Sequence, residues 1–221
     1  MKANGDEVKK ITAAVPLSGF NLNEMDFSWS PDGSKLLYSS FYELYVINKD
    51  GSGLKKIHET IDGSLISECD WSDNGSKIAV KTNKTNGYDG SIYTIDVNGN
   101  IIDTVITDVK GALGGLNFSA SGNKLLFTRD VSNHQASNYR QLDTRIFIYN
   151  FTNFTFVDIT DDDKESGTND LDPRFSPNEA YVIFMNTSND GMSQKNIIKT
   201  NLTGNIQRKT LFTNGSMPDW E

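Results

Sequence analysis

Short apolar runs alternate with turn sequences along this chain, and no segment carries a convincing helical period. Residues 36–39 form one such run, and a run of this length and polarity is typical of a strand buried on both faces. Further along each unit come turns such as Asp50-Gly51 and Asn98-Gly99, which are strong hairpin signals. The pattern predicts an all-β protein made of short antiparallel strands. The runs equivalent to the first lie at residues 78–81, 125–128 and 181–185.

An aromatic residue precedes each apolar run, so the pattern is a repeat. Successive aromatic anchors are 42, 47, 57 and 45 residues apart. A period in this range marks a propeller or solenoid array. Each copy also contains four strand segments, and four-stranded antiparallel units repeated radially form a β-propeller. The anchors are Trp29, Trp71, Phe118, Phe175 and Trp220.

The repeat predicts a single propeller domain over residues 1–221, with four complete blades at about 25–59, 68–107, 115–160 and 172–212. Partial blade strands are expected at both ends, within residues 1–14 and 217–221, because residues 2–11 align without gaps on residues 48–57. A trimmed segment of a longer propeller is the preferred interpretation. The alternative is a closed ring with one incomplete blade.

Charge narrows the choice of partner. The 221 residues carry a formal net charge of −8 with a pI near 4.8, which disfavours nucleic acid and anionic membranes. No stretch approaches the roughly 20 apolar residues of a membrane span, so no membrane insertion is expected. The one cysteine, Cys69, excludes an internal disulfide and is expected to be buried.

The first copy resembles a known repeat. Residues 27–38 read F-S-W-S-P-D-G-S-K-L-L-Y, and residues 43–57 continue E-L-Y-V-I-N-K-D-G-S-G-L-K-K-I. This sequence resembles the TolB-like propeller repeat, and the resemblance covers nearly the whole chain. It implies an exported bacterial binding protein, periplasmic or in the cell envelope, or the accessory domain of a larger enzyme. It carries over no catalytic residues. The third and fourth copies depart in their turns, where Ala120-Ser121-Gly122 lacks Pro-Asp and Pro177-Asn178-Glu179 lacks glycine.

Loop lengths indicate which face could bind a partner. In an antiparallel blade, the loops between the second and third strands and between blades share one face. Here they are long, at residues 82–90, 129–144, 160–171 and 186–195. Long loops on a rigid scaffold are where binding concentrates, although tolerated insertions are the alternative. We call this the long-loop face, and we expect a protein or peptide partner there.

Candidate site residues on this face are mostly acidic. Carboxylates near the starts of the inner strands would ring the mouth of the central channel and favour a cation or a basic peptide; solvated loop charge is the alternative. Tyr139 and Arg140 are candidate interface anchors on a long loop. The carboxylates are Glu24, Asp26, Glu68, Asp170 and Asp172.

Enzyme and cofactor signatures are missing from the sequence. There is no G-x-S-x-G elbow, the two histidines are too few for a three-histidine zinc site, and residues 161–172 match a calcium loop poorly. No metal or cofactor is therefore expected. The sequence favours a non-catalytic protein-binding scaffold. The alternatives are the substrate-gating propeller of a prolyl oligopeptidase-type peptidase and a carbohydrate-binding or lyase-type propeller.

Overall fold

A computed structural model describes residues 26–85, 89–132, 142–160, 164–189, 192–203 and 207–220. Within these residues the chain forms sixteen β-strands and no helix, so no membrane-spanning helix occurs in them. The partial blade strand expected within residues 1–14 and the candidates Glu24, Tyr139 and Arg140 lie outside the described residues.

The strands form four antiparallel sheets of four consecutive strands each, which are the four predicted blades. The strands of each blade are as follows. Blade 1 contains β1 (Phe27–Trp29), β2 (Lys35–Ser40), β3 (Glu43–Asn48) and β4 (Lys55–Glu59), and blade 2 contains β5 (Leu65–Trp71), β6 (Ile78–Asn83), β7 (Gly90–Ile95) and β8 (Ile101–Val109). Blade 3 contains β9 (Leu113–Phe118), β10 (Lys124–Asp130), β11 (Thr144–Asn150) and β12 (Thr155–Asp158), and blade 4 contains β13 (Thr168–Phe175), β14 (Tyr181–Ser188), β15 (Asn196–Asn201) and β16 (Arg208–Thr213).

The first strands of successive blades, β1, β5, β9 and β13, pack against one another and form the inner edge of the array. Trp29, Trp71, Phe118 and Phe175 each end one of these strands. The prediction of a β-propeller with the anchors on successive innermost strands is confirmed.

A serine after each anchor builds the turn to the second strand. The Ser30 amide donates to Lys35 O at 2.9 Å, and the Lys35 amide donates back to Ser30 Oγ at 2.9 Å. The same two bonds recur at Ser72, Ser119 and Ser176, and all four serines are buried. The turn is therefore kept even where Pro-Asp or glycine is missing from the sequence.

Apolar clusters fill each space between neighbouring blades because second strands bury both faces, as predicted. On β10, Phe127 packs toward blade 2 while its neighbour Leu126 packs toward blade 4, and both are fully buried. Between blades 1 and 2 the cluster includes Leu37, Cys69 and Ile78. Cys69 is buried as expected.

Hydrogen bonds from anchor amides join the inner strands. The Trp71 amide donates to Ser28 Oγ at 3.1 Å, the Phe118 amide to Asp70 Oδ2 at 2.8 Å, and the Phe175 amide to Asn117 Oδ1 at 2.8 Å. Each acceptor is the residue immediately before the previous anchor. We call this series the anchor ladder.

The anchor ladder changes at Trp220, because Arg174 occupies the acceptor position and a guanidinium only donates. The Trp220 amide bonds instead to Asp219 Oδ1 at 2.9 Å, and its indole donates to Arg174 O at 3.2 Å. A strand was expected around Trp220, but residues 217–220 form no strand in the structure. The fifth anchor nonetheless lies beside the fourth.

Candidate functional site

A cavity of about 390 Å³ opens among the inner strands of blades 2, 3 and 4. Leu142 and Asn189, from loops between second and third strands, contribute to its lining, so it lies on the long-loop face. Two of the acidic candidates, Glu68 and Asp172, line it. We call it the central cavity.

The inner strand of blade 3 makes room for this cavity. It carries Gly114 and Gly115 where the neighbouring inner strands carry side chains, and Gly115 has a positive φ of 65°. A Cβ at Gly115 would lie 2.6 Å from Pro173 Cδ, and a Cβ at Gly114 would lie 2.9 Å from Glu68 Oε1. Position 115 therefore requires glycine, because of its positive φ and the close approach of Pro173, whereas Gly114 leaves room for the Glu68 side chain.

The carboxylate of Glu68 already bonds to other residues of the fold. Its Oε1 pairs with Lys81 Nζ at 2.9 Å, and its Oε2 accepts the Leu116 amide at 3.3 Å. Asp26, three residues before the first anchor, has a similar role, because its Oδ2 accepts the Cys69 amide at 2.8 Å. Burial raises the pKa of Asp26, while the bond from Cys69 acts in the opposite direction. These two carboxylates join adjacent blades.

Asp172 differs from the other carboxylates. It lies at a bulge in β13 with a positive φ of 51°, and no described residue bonds to its carboxylate. Burial raises its pKa, with the charges of Arg174 and Lys195 acting in the opposite direction. Asn189 adds a buried side-chain oxygen without a hydrogen-bond partner in the described structure. The cavity thus presents two acceptors with unused bonding capacity.

Asp70 and Arg174 complete the electrostatics of the inner strands. Burial raises the pKa of Asp70 to about 7, although the Phe118 amide and the charge of Arg174 lower it. Arg174 donates to Pro173 O at 2.9 Å and forms no ion pair with a described residue. The described inner strands therefore carry several carboxylates beside the cation Arg174, in addition to the Glu68–Lys81 pair.

Asp170 was expected among the carboxylates at the mouth of the central channel. In the structure it lies within β13 and its side chain is fully buried. Arg208 donates to both of its oxygens at 2.8 Å, and Asn186 Nδ2 donates to its Oδ1 at 2.8 Å. All of its bonding is internal, so its role here is to connect β13 to β16.

The residues of the anchor ladder were not among the predicted site residues. The signal was present, since Ser28, Asp70 and Asn117 each place an oxygen acceptor directly before an anchor. Arg208 gave no such signal, because its partner Asp170 lies 38 residues earlier. Among the described residues, no group of three or more His, Cys, Asp or Glu side chains is arranged to hold a metal ion.

Comparisons with solved structures show the fold. The chain matches TolB from Acinetobacter baumannii with a TM-score of 0.64 at 17% identity, covering 85% of this chain and 43% of that one. It matches a putative TolB from Agrobacterium tumefaciens with a TM-score of 0.54 at 15% identity, covering 86% of this chain and 80% of that one. The fold is therefore a TolB-like propeller.

The same architecture also occurs in an enzyme. Oligogalacturonate lyase in complex with manganese matches with a TM-score of 0.61 at 10% identity, covering 85% of this chain and 52% of that one. No protein-family model and no curated protein matches the chain. At these identities the likeness establishes the fold, and function is argued from the site.

Proposed function

We propose that this chain is a non-catalytic propeller scaffold that binds a protein or peptide on its long-loop face, in a bacterial cell envelope. One observation carries the proposal: the central cavity holds the unbonded carboxylate of Asp172 beside Glu68. Its volume of about 390 Å³ falls within the usual range for a site that takes a side chain or small ligand. The TolB-like fold supports the envelope location, which fractionation of the source cells would test.

The chemistry of the cavity favours a basic segment. Asp172 and Asn189 supply acceptors, and Glu68 keeps a carboxylate next to Lys81. A lysine or arginine side chain would supply donors and positive charge, while the apolar stem would lie against Leu142 and Leu171.

Binding of short basic peptides tests this function. We expect lysine- and arginine-containing peptides to bind more tightly than acidic peptides of the same length, as measured by fluorescence anisotropy at low salt. Asp172→Asn should weaken binding by about three- to tenfold, because it removes the charge while keeping the shape. Asp73→Asn is the matched control: it makes the same charge change on the opposite face.

The fold of Asp172→Asn is expected to be at least as stable as wild type, because burial opposes the charged form. Reduced binding would then come from the site. Equal effects of the two substitutions, or equally tight acidic peptides, would refute a basic partner at this cavity.

The absence of catalysis is part of the proposal. Burial raises the pKa of the Cys69 thiol well above its ordinary value, which makes it a poor nucleophile. His58 has both ring nitrogens engaged, with Gly99 O at 3.0 Å and Tyr93 Oη at 2.9 Å. Turnover of a peptide, ester or glycan by the purified chain, abolished by one substitution within it, would overturn this part.

A further inference from the structure

A second cavity lies between blades 1 and 2, on the face opposite the long loops. Its volume is about 610 Å³, and its apolar lining includes Trp71, Val46, Ile57 and Val97. Two lysines, Lys35 and Lys55, also line it. We call it the interblade cavity, and its lysines occupy repeat positions that can be compared between blades.

Lys35 lies six residues after the anchor of blade 1, and Lys77 lies six residues after the anchor of blade 2. In blade 2 the lysine is neutralised, because Lys77 Nζ pairs with Asp103 Oδ2 at 2.7 Å and lies 4.0 Å from the centre of the Phe151 ring. In blade 3 the equivalent Lys124 pairs with Glu179 at 3.0 Å. The lysines at this position in blades 2 and 3 are therefore both paired with a carboxylate, while blade 4 carries Tyr181 there.

In blade 1 the equivalent lysine, Lys35, has no carboxylate partner among the described residues. The strand register places Lys55 opposite Val46 and Asp103 opposite Thr94, so Lys55 occupies the position that Asp103 holds in blade 2. Lys35 reaches only the amide oxygen of Asn48, at 3.4 Å, and neither lysine forms an ion pair with a described residue. Two cations thus replace a cation and an anion.

Two carboxylates, Asp32 and Asp73, also line the cavity and keep their charge, but neither forms an ion pair with Lys35 or Lys55 in the described structure, so both ammonium groups stay without a carboxylate partner. The Asp32 carboxylate is bound within its own turn by Ser30 Oγ at 2.6 Å and the Ser34 amide at 3.0 Å. Asp73 lines the opposite wall, in blade 2.

We propose that the interblade cavity binds an organic anion, with a carboxylate or phosphate group between Lys35 and Lys55 and an apolar body against Trp71. The anionic group would take the position of the missing Asp103 carboxylate. Charge-assisted hydrogen bonds from ammonium groups suit both head groups, and the apolar wall gains by covering an aromatic or aliphatic body.

Titration by NMR tests this site on the whole chain. The probes are phenylacetate, phenyl phosphate, neutral phenylethanol and inorganic phosphate, and the reporter is the indole signal of Trp71. We expect both aromatic anions to bind more tightly than phenylethanol and inorganic phosphate, and their ranking identifies the preferred head group. Anions no tighter than phenylethanol, or inorganic phosphate as tight as phenyl phosphate, would overturn the proposal.

Lys55→Asp should reproduce the blade 2 arrangement. It is expected to weaken anion binding by about tenfold or more, while thermal melting shows a fold as stable as wild type or more so. Lys55→Arg should retain binding. Lys49→Asp, which makes the same charge change at an exposed lysine outside the cavity, is the matched control. Equal anion binding by the Lys55→Asp and Lys49→Asp proteins would refute the assignment of the head group to this lysine pair.

Discussion

Asp70 joins two blades through a carboxylate that burial makes difficult to ionise. Its Oδ2 accepts the Phe118 amide at 2.8 Å, and its pKa is raised to about 7. One blade further along, neutral Asn117 accepts the Phe175 amide at the same 2.8 Å. The anchor ladder therefore needs an oxygen acceptor and does not need a charge.

This comparison predicts the pH dependence of stability. The folded pKa of Asp70 lies above its unfolded value, so the folded state retains a proton that the unfolded chain releases between pH 4 and 7. The contribution of Asp70 to the free energy of unfolding should therefore fall as pH rises through that window. Asp70→Asn should remove this loss and be at least as stable as wild type at pH 7, in urea unfolding at several pH values.

The reciprocal change provides the control for this prediction. Asn117→Asp places a carboxylate at the equivalent position of blade 3, and it should add a loss of stability as pH rises. If the wild-type and Asp70→Asn proteins showed the same pH profile, the proton would not reside on Asp70 in the folded state.

At the scale of the strand and blade, the Asp170–Arg208 pair fixes the width of blade 4. Arg208 projects from the outermost strand, passes 4.8 Å from the centre of the Phe184 ring and binds Asp170 on the innermost strand. Blade 3 has a more exposed pair between neighbouring strands, in which Arg145 Nη1 lies 3.3 Å from Asp158. The two pairs differ in span and in burial, since the Asp170 side chain is 0% exposed and that of Asp158 is 32% exposed.

Removing each arginine should reveal this difference. Arg208→Met should lower the free energy of unfolding by about 3–5 kcal/mol, because it leaves a buried carboxylate unpaired. Arg145→Met should cost less than about 1 kcal/mol. Chemical denaturation measures both, and a double substitution, Asp170→Leu with Arg208→Met, should recover part of the loss. If the two single variants lowered the free energy of unfolding by similar amounts, burial of the Asp170–Arg208 pair would not increase its contribution to stability.

At the scale of the whole molecule, one apolar cluster spans each joint between blades. Because Leu126 and Phe127 are adjacent and face different joints, β10 couples blade 2 to blade 4. Blade stability should therefore be shared along the array, although repeat proteins can also unfold unit by unit.

Two tryptophans test this coupling. In single-tryptophan variants, Trp71 reports on the first joint and Trp220 on the inner edge of blade 4, beside Arg174. Phe127→Ala should cost about 3–5 kcal/mol and shift the urea midpoints of both probes together. A shift confined to one tryptophan would show that the blades unfold independently.

The turn of the fourth copy lacks the glycine that the motif predicts. The absence is visible in the sequence, and its reason is visible only in the structure. Glu179 takes the left-handed conformation, φ 54°, while its carboxylate accepts the Ser121 amide at 2.8 Å and pairs with Lys124. These bonds lower the pKa of Glu179 to about 2, against the opposing effect of burial. A departure from the motif is thus a contact between blades 3 and 4.

The sequence by itself determined the strand pattern, the blade count in the described residues, the inner-strand anchors and the buried second strands. Those features depend on turns and on side-chain alternation within a few residues, which recur in every copy. Only the tertiary structure decided which carboxylates lack a hydrogen-bond partner in the described residues. Asp26 and Glu68 bind amides more than 40 residues away, Asp170 is enclosed by Arg208, and Asp172 is left unbonded in a cavity. Such pairings depend on how neighbouring blades stack, and side chains of the same type at equivalent positions then meet different partners.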